Sequence, residues 1–353
     1  ITITEQRAMH SSALSPTTNM TLHRLPRSPR AATASMSEQT IRKRPTCPTC
    51  TKPTRFCLCT RIRSPLIDSK IRVTILQHRL ESKHPLNTAR IATLGLKNVI
   101  LHTVSDVESH CQYVIQANET GCGSFPFPGY VDTSQNSDQE SGNQELMDLT
   151  HTRGGSKDAG KPYSFRDLLT IVVQKHGEIT SLVPAFRETS ETLAGGFAVK
   201  KLRKTQSSGE RSESEYCEEF EIAVPAGSVL LYPSEKAVSV EEMKVMNKEI
   251  SNLIVLDATW SKARRIYREN PWLDLLPHLR LDADSGSLYR EVRKQPKGGC
   301  LSTIESVVYA LKAMGENDEG LHELLDVFTS MIGYQRRCKD ERLKTETSSP
   351  SEM

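Results

Sequence analysis

Residues 252–273 read NLIVLDATWSKARRIYRENPWL. Leu253 to Leu256 form an unbroken apolar run, which predicts a strand buried on both faces, as strands of parallel sheets are. Asp257 ends the run, Ala258 and Thr259 make a short turn, and the spacing predicts a helix over 260–270. In an open α/β sheet, ligands bind beyond the carboxyl ends of the strands. Asp257 stands at such an end, although Asp and Thr are also good helix caps. Trp260 is one of only two tryptophans and occupies the first turn of the helix, which then carries Lys262, Arg264, Arg265 and Arg268. A basic helix leaving a ligand-bearing loop suits an anionic polymer; a solvated helical face is the alternative.

Similar strand patterns lie on either side. IRVTILQH (71–78), NVILHTV (98–104) and SVLLYPS (228–234) read as strands, and 85–97, 238–250 and 302–315 as helices. Strands alternating with helices predict an α/β fold with a mostly parallel sheet. The strand-end rule then points to Gln77-His78, Tyr232-Pro233-Ser234 and Asp257-Ala258-Thr259-Trp260.

The chain has 353 residues, of which 37% are hydrophobic and 5% aromatic, thin for one globule of this length. Its net charge of +3 excludes a bulk polycation. No apolar run reaches membrane-spanning length, so no membrane partner is expected. The apolar deficit concentrates in residues 1–40, about 117–165 and about 187–218, all expected to be disordered, as is a tail at 341–353. Residues 41–340 remain as one interrupted domain. The acid-poor first 40 residues read as a translated leader, with Met9, Met20 and Met36 as candidate starts, or as a transit segment. The leader reading predicts a cytoplasmic or nuclear protein, with organellar targeting left open.

Four of the nine cysteines, Cys47, Cys50, Cys57 and Cys59, are spaced C-x2-C-x6-C-x-C. That spacing suits a closed, structural zinc knuckle over 45–62. Disulfides fit less well, because no signal peptide is apparent. Arg42, Lys43, Arg44, Lys52, Arg55, Arg61 and Arg63 flank the knuckle with Phe56 among them, which suits phosphate-backbone contacts and equally an ordinary solvated surface.

These stretches together resemble the DTW-domain family. LDATWSKARRIYRENPWL (256–273) resembles its Asp-x-Thr-Trp signature. QHRLESKHPLNTARIA (77–92), LLYPSEKA (230–237) and REVRKQPKGGCLSTIESVVYAL (290–311) resemble its other blocks, in the same order, and the cysteine knuckle fits as well. The resemblance implies a SPOUT-like fold with a knotted C-terminal half. It implies transfer of a 3-amino-3-carboxypropyl group from S-adenosylmethionine to N3 of a uridine in tRNA, giving acp3U and methylthioadenosine. The partner implied is tRNA, with no DNA, and the oligomeric state stays open.

Under this resemblance Asp257, Thr259 and Trp260 are the expected catalytic residues. Asp257 would assist removal of the N3 proton or orient it, and Trp260 would stack on a base. Leu231, Tyr232, Pro233, Arg293, Lys294, Ser302, Thr303 and Glu305 are expected to hold the donor. The cations suit its carboxylate and the helix start at Ser302 offers free N–H groups, although Ser302-x-x-Glu305 also fits a capping box. Gln77, His78, Glu81, Asn87, Thr88, Lys262, Arg264, Arg265 and Arg268 are expected at the RNA. Two other readings share these residues: an RNA methyltransferase using the same donor, and a non-enzymatic zinc-knuckle RNA-binding protein.

Overall fold

The computed structural model describes residues 45–63, 66–118, 165–183, 193–204, 216–282, 286–292, 299–316 and 318–347. In chain order its strands are β1 (Arg72–His78), β2 (Val99–Val104), β3 (His110–Asn118), β4 (Phe165–Gln174) and β5 (Ile179–Val183). They continue with β6 (Gly196–Lys204), β7 (Tyr216–Pro225), β8 (Ser228–Leu231), β9 (Asn252–Asp257) and β10 (His278–Leu279). The helices are α1 (Ala89–Gly95), α2 (Val240–Val245), α3 (Trp260–Glu269), α4 (Thr303–Ala313) and α5 (Asp318–Thr347).

Two five-stranded sheets form. The first has the order β10-β8-β9-β1-β2 and is parallel throughout, as the apolar runs predict. Side chains alternate across its two faces. Val73, Ile75, Val229, Leu253 and Val255 join a core with α1, α4 and α5. Leu76, Leu230, Ile254 and Leu256 join a second core with Ala263 and Ile266 of α3. Gly95 lets α1 lie against α5, because a Cβ there would sit 2.2 Å from Leu324 Cδ2.

The second sheet, β5-β4-β3-β6-β7, is antiparallel and closes the second core. Tyr113, Ile115, Ile171, Val173, Phe197, Val199, Ile222 and Val224 supply its inner face. Two sequence expectations are corrected here. The supposedly disordered 187–218 contains all of β6 and the start of β7, and the sheet is not mostly parallel when the molecule is taken whole. These strands alternate apolar and polar residues, as in GFAVKKLRK (196–204), because one face is solvated. A search for unbroken apolar runs passes over them. Most of 117–165, all of 1–40 and 348–353 lie outside the described residues. The tail expected at 341–353 is also corrected, since α5 runs to Thr347.

Candidate functional site

The register of the parallel sheet builds the site. β1 and β9 pair so that Gln77 lies opposite Asp257. Both side chains therefore leave the same face, the one covered by α4. Gln77 Nε2 donates to Asp257 Oδ2 at 2.7 Å, and Thr303 Oγ1 donates to Asp257 Oδ1 at 2.6 Å. Asp257 is 6% exposed. Among the described residues no cation pairs with it. Burial raises its pKa above the ordinary carboxylate value, against the lowering effect of the Thr303 and Gln77 hydrogen bonds, and the charge of Glu81 adds to the rise.

Asp257 is part of the wall of a cleft at the carboxyl ends of β8 and β9. Glu81, Asn87, Thr88, Leu231, Tyr232, Pro233, Thr259, Trp260, Ser302 and Thr303 line it with Leu279, Leu281, Tyr289 and Ser306. The cleft thus gathers eleven expected site residues from four separate blocks, Asp257 among them. Thr259 caps α3, accepting from Lys262 N at 3.3 Å, which leaves half-buried Trp260 at the helix start facing the cleft. Tyr232 is buried and stacks on Tyr267 with ring centroids 4.2 Å apart.

Other expected residues stand elsewhere. His78 follows Gln77 on β1 and so leaves the opposite face, where its Nε2 lies 3.2 Å from Asp106 Oδ1. Lys262 Nζ lies 2.5 Å and Arg265 Nη1 3.2 Å from Asp106 Oδ2, and Arg265 Nε is 2.7 Å from Glu269 Oε1. Lys262 and Arg265 are therefore half-buried and engaged with Asp106 and Glu269 within the molecule. Arg264 and Arg268 are exposed and close enough to Tyr232 to oppose the upward shift that burial gives its phenol. Glu305 is also spent internally. Its Oε2 accepts from Ser287 Oγ at 2.5 Å and Ser302 N at 2.7 Å, and its Oε1 from Leu288 N at 3.0 Å. With Ser302 it makes the capping box of α4. Arg293 and Lys294 lie outside the described residues.

Asp106 and Tyr289 were not foreseen. Asp106 follows β2, so the strand-end rule that singles out Asp257 would have found it. Tyr289 Oη donates to Leu86 O at 3.1 Å and ties segment 286–292 across the cleft. No local pattern predicts that contact, which joins positions far apart in the chain.

Near the N-terminal end of the described chain, the sulfurs of Cys47, Cys50, Cys57 and Cys59 all lie within 4.8 Å of one another. Cys47 and Cys59 Sγ are 3.9 Å apart, Cys50 and Cys57 Sγ 3.7 Å. A zinc–thiolate tetrahedron with bonds of about 2.3 Å has edges of roughly 3.8 Å. The donor set therefore fits a zinc ion. Burial opposes ionisation of Cys50, but N–H groups including that of Leu58, 3.4 Å from its sulfur, hold the thiol down to about 6.

A family model described as "DTW domain" matches residues 44–173 and 175–336. Among curated proteins, the chain is similar to tRNA-uridine aminocarboxypropyltransferase 2 of Macaca fascicularis, 30% identical over 112 residues, covering 31% of this chain and 37% of the relative. The Drosophila melanogaster protein of the same name is 33% identical over 108 residues, 31% of this chain and 42% of the relative. tRNA-uridine aminocarboxypropyltransferase A of Arabidopsis thaliana is 32% identical over 127 residues, 30% of this chain and 48% of the relative. The chain thus spans less than half the length of these relatives. No solved structure matches it.

Proposed function

This chain belongs to the DTW-domain family, and from that premise we propose that it transfers the 3-amino-3-carboxypropyl group of S-adenosylmethionine to N3 of a uridine in tRNA. The curated relatives carry the corresponding name. The observation that carries the reading is Asp257, a buried carboxylate between two neutral donors on the wall of the strand-end cleft.

In the proposed reaction N3 of the uracil loses its proton and bonds to the γ-carbon of the methionine moiety. The bond from that carbon to sulfur breaks, its electron pair neutralises the sulfonium, and methylthioadenosine leaves. Asp257 orients the N3–H and accepts the proton. An Asp of ordinary pKa would be a weak base for so weak an acid, and the upward shift from burial narrows the gap. Gln77 and Thr303 fix the carboxylate so that its direction is set before substrate arrives. Trp260 offers a face to a base, Leu231, Tyr232 and Pro233 hold the donor, and exposed Arg264 and Arg268 meet RNA phosphates.

The proposal extends to a zinc ion on the four cysteines, a knotted C-terminal half of the SPOUT kind, and a cytoplasmic or nuclear location. Strand order β10-β8-β9-β1-β2, with Tyr289 and Ser302 both returning to the cleft after β10, is compatible with that reading. Among the described residues no helix is long and apolar enough to cross a membrane.

Mass analysis of tRNA incubated with the protein and S-adenosylmethionine tests the reading. An aminocarboxypropyl mass gain on uridine is expected. A methyl gain would replace the reading with a methyltransferase, and no gain with intact tRNA binding would leave a binding protein.

A further inference from the structure

A second cavity lies behind the 79–88 loop, on the side away from Asp257. It measures ≈ 360 Å³ and is enclosed by the cysteine knuckle, residues 82–85, Arg90 and the middle of α5. That is within the size range of small-ligand sites, about 300–1,000 Å³.

Its lining contains Lys52, Arg61, Lys83 and Arg90 and no carboxylate. Among the described residues none of these four cations lies within ion-pair distance of an acid. Neutral acceptors orient three of them instead. Arg90 donates to Cys50 O at 2.7 Å and Ser82 O at 3.2 Å, Arg61 donates to Ser330 Oγ at 2.6 Å, and Lys52 donates to Pro85 O. The Arg61 guanidinium also lies 4.4 Å above the Tyr334 ring. The thiolates of the knuckle, Cys50 among them, offset part of the charge at Lys52, but no carboxylate faces the cavity, so Arg61, Lys83 and Arg90 are left to favour an anionic ligand, and the hydrogen bonds that hold Arg61 and Arg90 spare that ligand part of the cost of arranging them. Phe56, Leu58 and Met331 add an apolar wall. The chemistry is that of an anion joined to a flat or apolar body.

The position narrows the choice. Glu81, Leu86, Asn87 and Thr88 of the 79–88 loop line the Asp257 cleft, while Ser82 to Pro85 line this cavity. One loop separates the two. We propose that the cavity receives a nucleotide flanking the modified uridine in the same RNA strand. Its phosphate would rest on Arg61, Lys83 and Arg90, and its ribose and base on Phe56 and Met331. This inference rests on the reading of tRNA as substrate.

The test uses the full-length, zinc-loaded protein and tRNA, with affinity measured by fluorescence anisotropy over a salt series. The Arg61→Gln/Lys83→Gln double variant is expected to bind tRNA at least roughly tenfold more weakly, with a salt slope lowered by about 1 per cation removed and unchanged affinity for S-adenosylmethionine. If the double variant loses zinc or unfolds, Lys83→Gln alone decides, because that side chain is exposed and supports no other contact among the described residues. A weaker complex with a slope lowered by about 1 supports the proposal. Variants that bind tRNA as the wild type does, with the same slope, overturn it and leave the transferase reading intact. Failure of the wild type itself to bind tRNA would overturn both.

Discussion

Asp257 and Gln77 show what one register can do. Because β1 and β9 place these residues opposite each other, the carboxylate gains a neutral partner and, among the described residues, no cation. A carboxylate whose folded pKa is raised costs stability once it is ionised. That cost is absent below the ordinary value of 3.8, grows as pH rises through it, and is complete above the folded pKa. Asp257→Asn removes the charge and keeps the shape, so at pH 7 its melting temperature should be no lower than that of the wild type. Its transfer rate should fall about 10²–10⁴-fold with tRNA affinity retained; loss of tRNA binding along with activity would contradict the assigned role. In the wild type kcat/KM should rise with pH along a limb whose midpoint lies above 3.8. The sequence displays Asp257 and Gln77 as strand-end residues. Strand alternation puts Gln77 and the adjacent His78 on opposite faces, but only the fold shows which of the two faces carries the cleft.

At the scale of elements, Glu305 does more than cap α4. It holds Ser287, Leu288 and Ser302 at once and so fastens the 286–292 segment to the helix start beside the cleft. Glu305→Ala would leave the buried donors of Ser287 and Ser302 without this partner and should cost about 2–4 kcal/mol in a urea titration. Affinity for S-adenosylmethionine should drop more than affinity for tRNA, because the loosened segment borders the cleft; equal losses would argue against that division. The capping box itself is legible as Ser302-x-x-Glu305. The anchoring of 286–292 is not, because the partners lie 17 and 18 residues from Glu305 with no regular spacing. The basic helix α3 gives the same lesson in reverse. Four cations read as one face, yet Lys262 and Arg265 turn inward to Asp106 while Arg264 and Arg268 stay in solvent.

For the whole molecule, the antiparallel sheet is structural, because it covers one face of the parallel sheet. Removing 105–225 should abolish cooperative unfolding, whereas replacing 205–215 with a short turn between β6 and β7 should leave the melting temperature nearly unchanged. Circular dichroism melts of the two chains distinguish a structural layer from a dispensable addition. The knuckle is coupled to the same body: Arg90 donates to Cys50 O, and Phe56 packs edge-on against Tyr334 of α5 with centroids 5.2 Å apart. Elemental analysis should find one zinc per chain, and Cys57→Ser should lose it and lower the melting temperature by several degrees, about 2 kcal/mol or more. Full zinc retention would show that the cysteines do not act as a set. Strands β1, β8 and β9 were legible because burial on both faces leaves unbroken apolar runs, whereas the two-residue edge strand β10 left no such run and the half-solvated sheet hid in alternation. The position of β1 between β2 and β9 also bears on synthesis. At ~5–20 residues per second, β9 follows β1 out of the ribosome after roughly ten to thirty-five seconds. For that interval one edge of β1 has no native partner, and an unpaired strand edge is open to wrong pairing, so a pause in translation before residue 252 should lower the yield of folded protein.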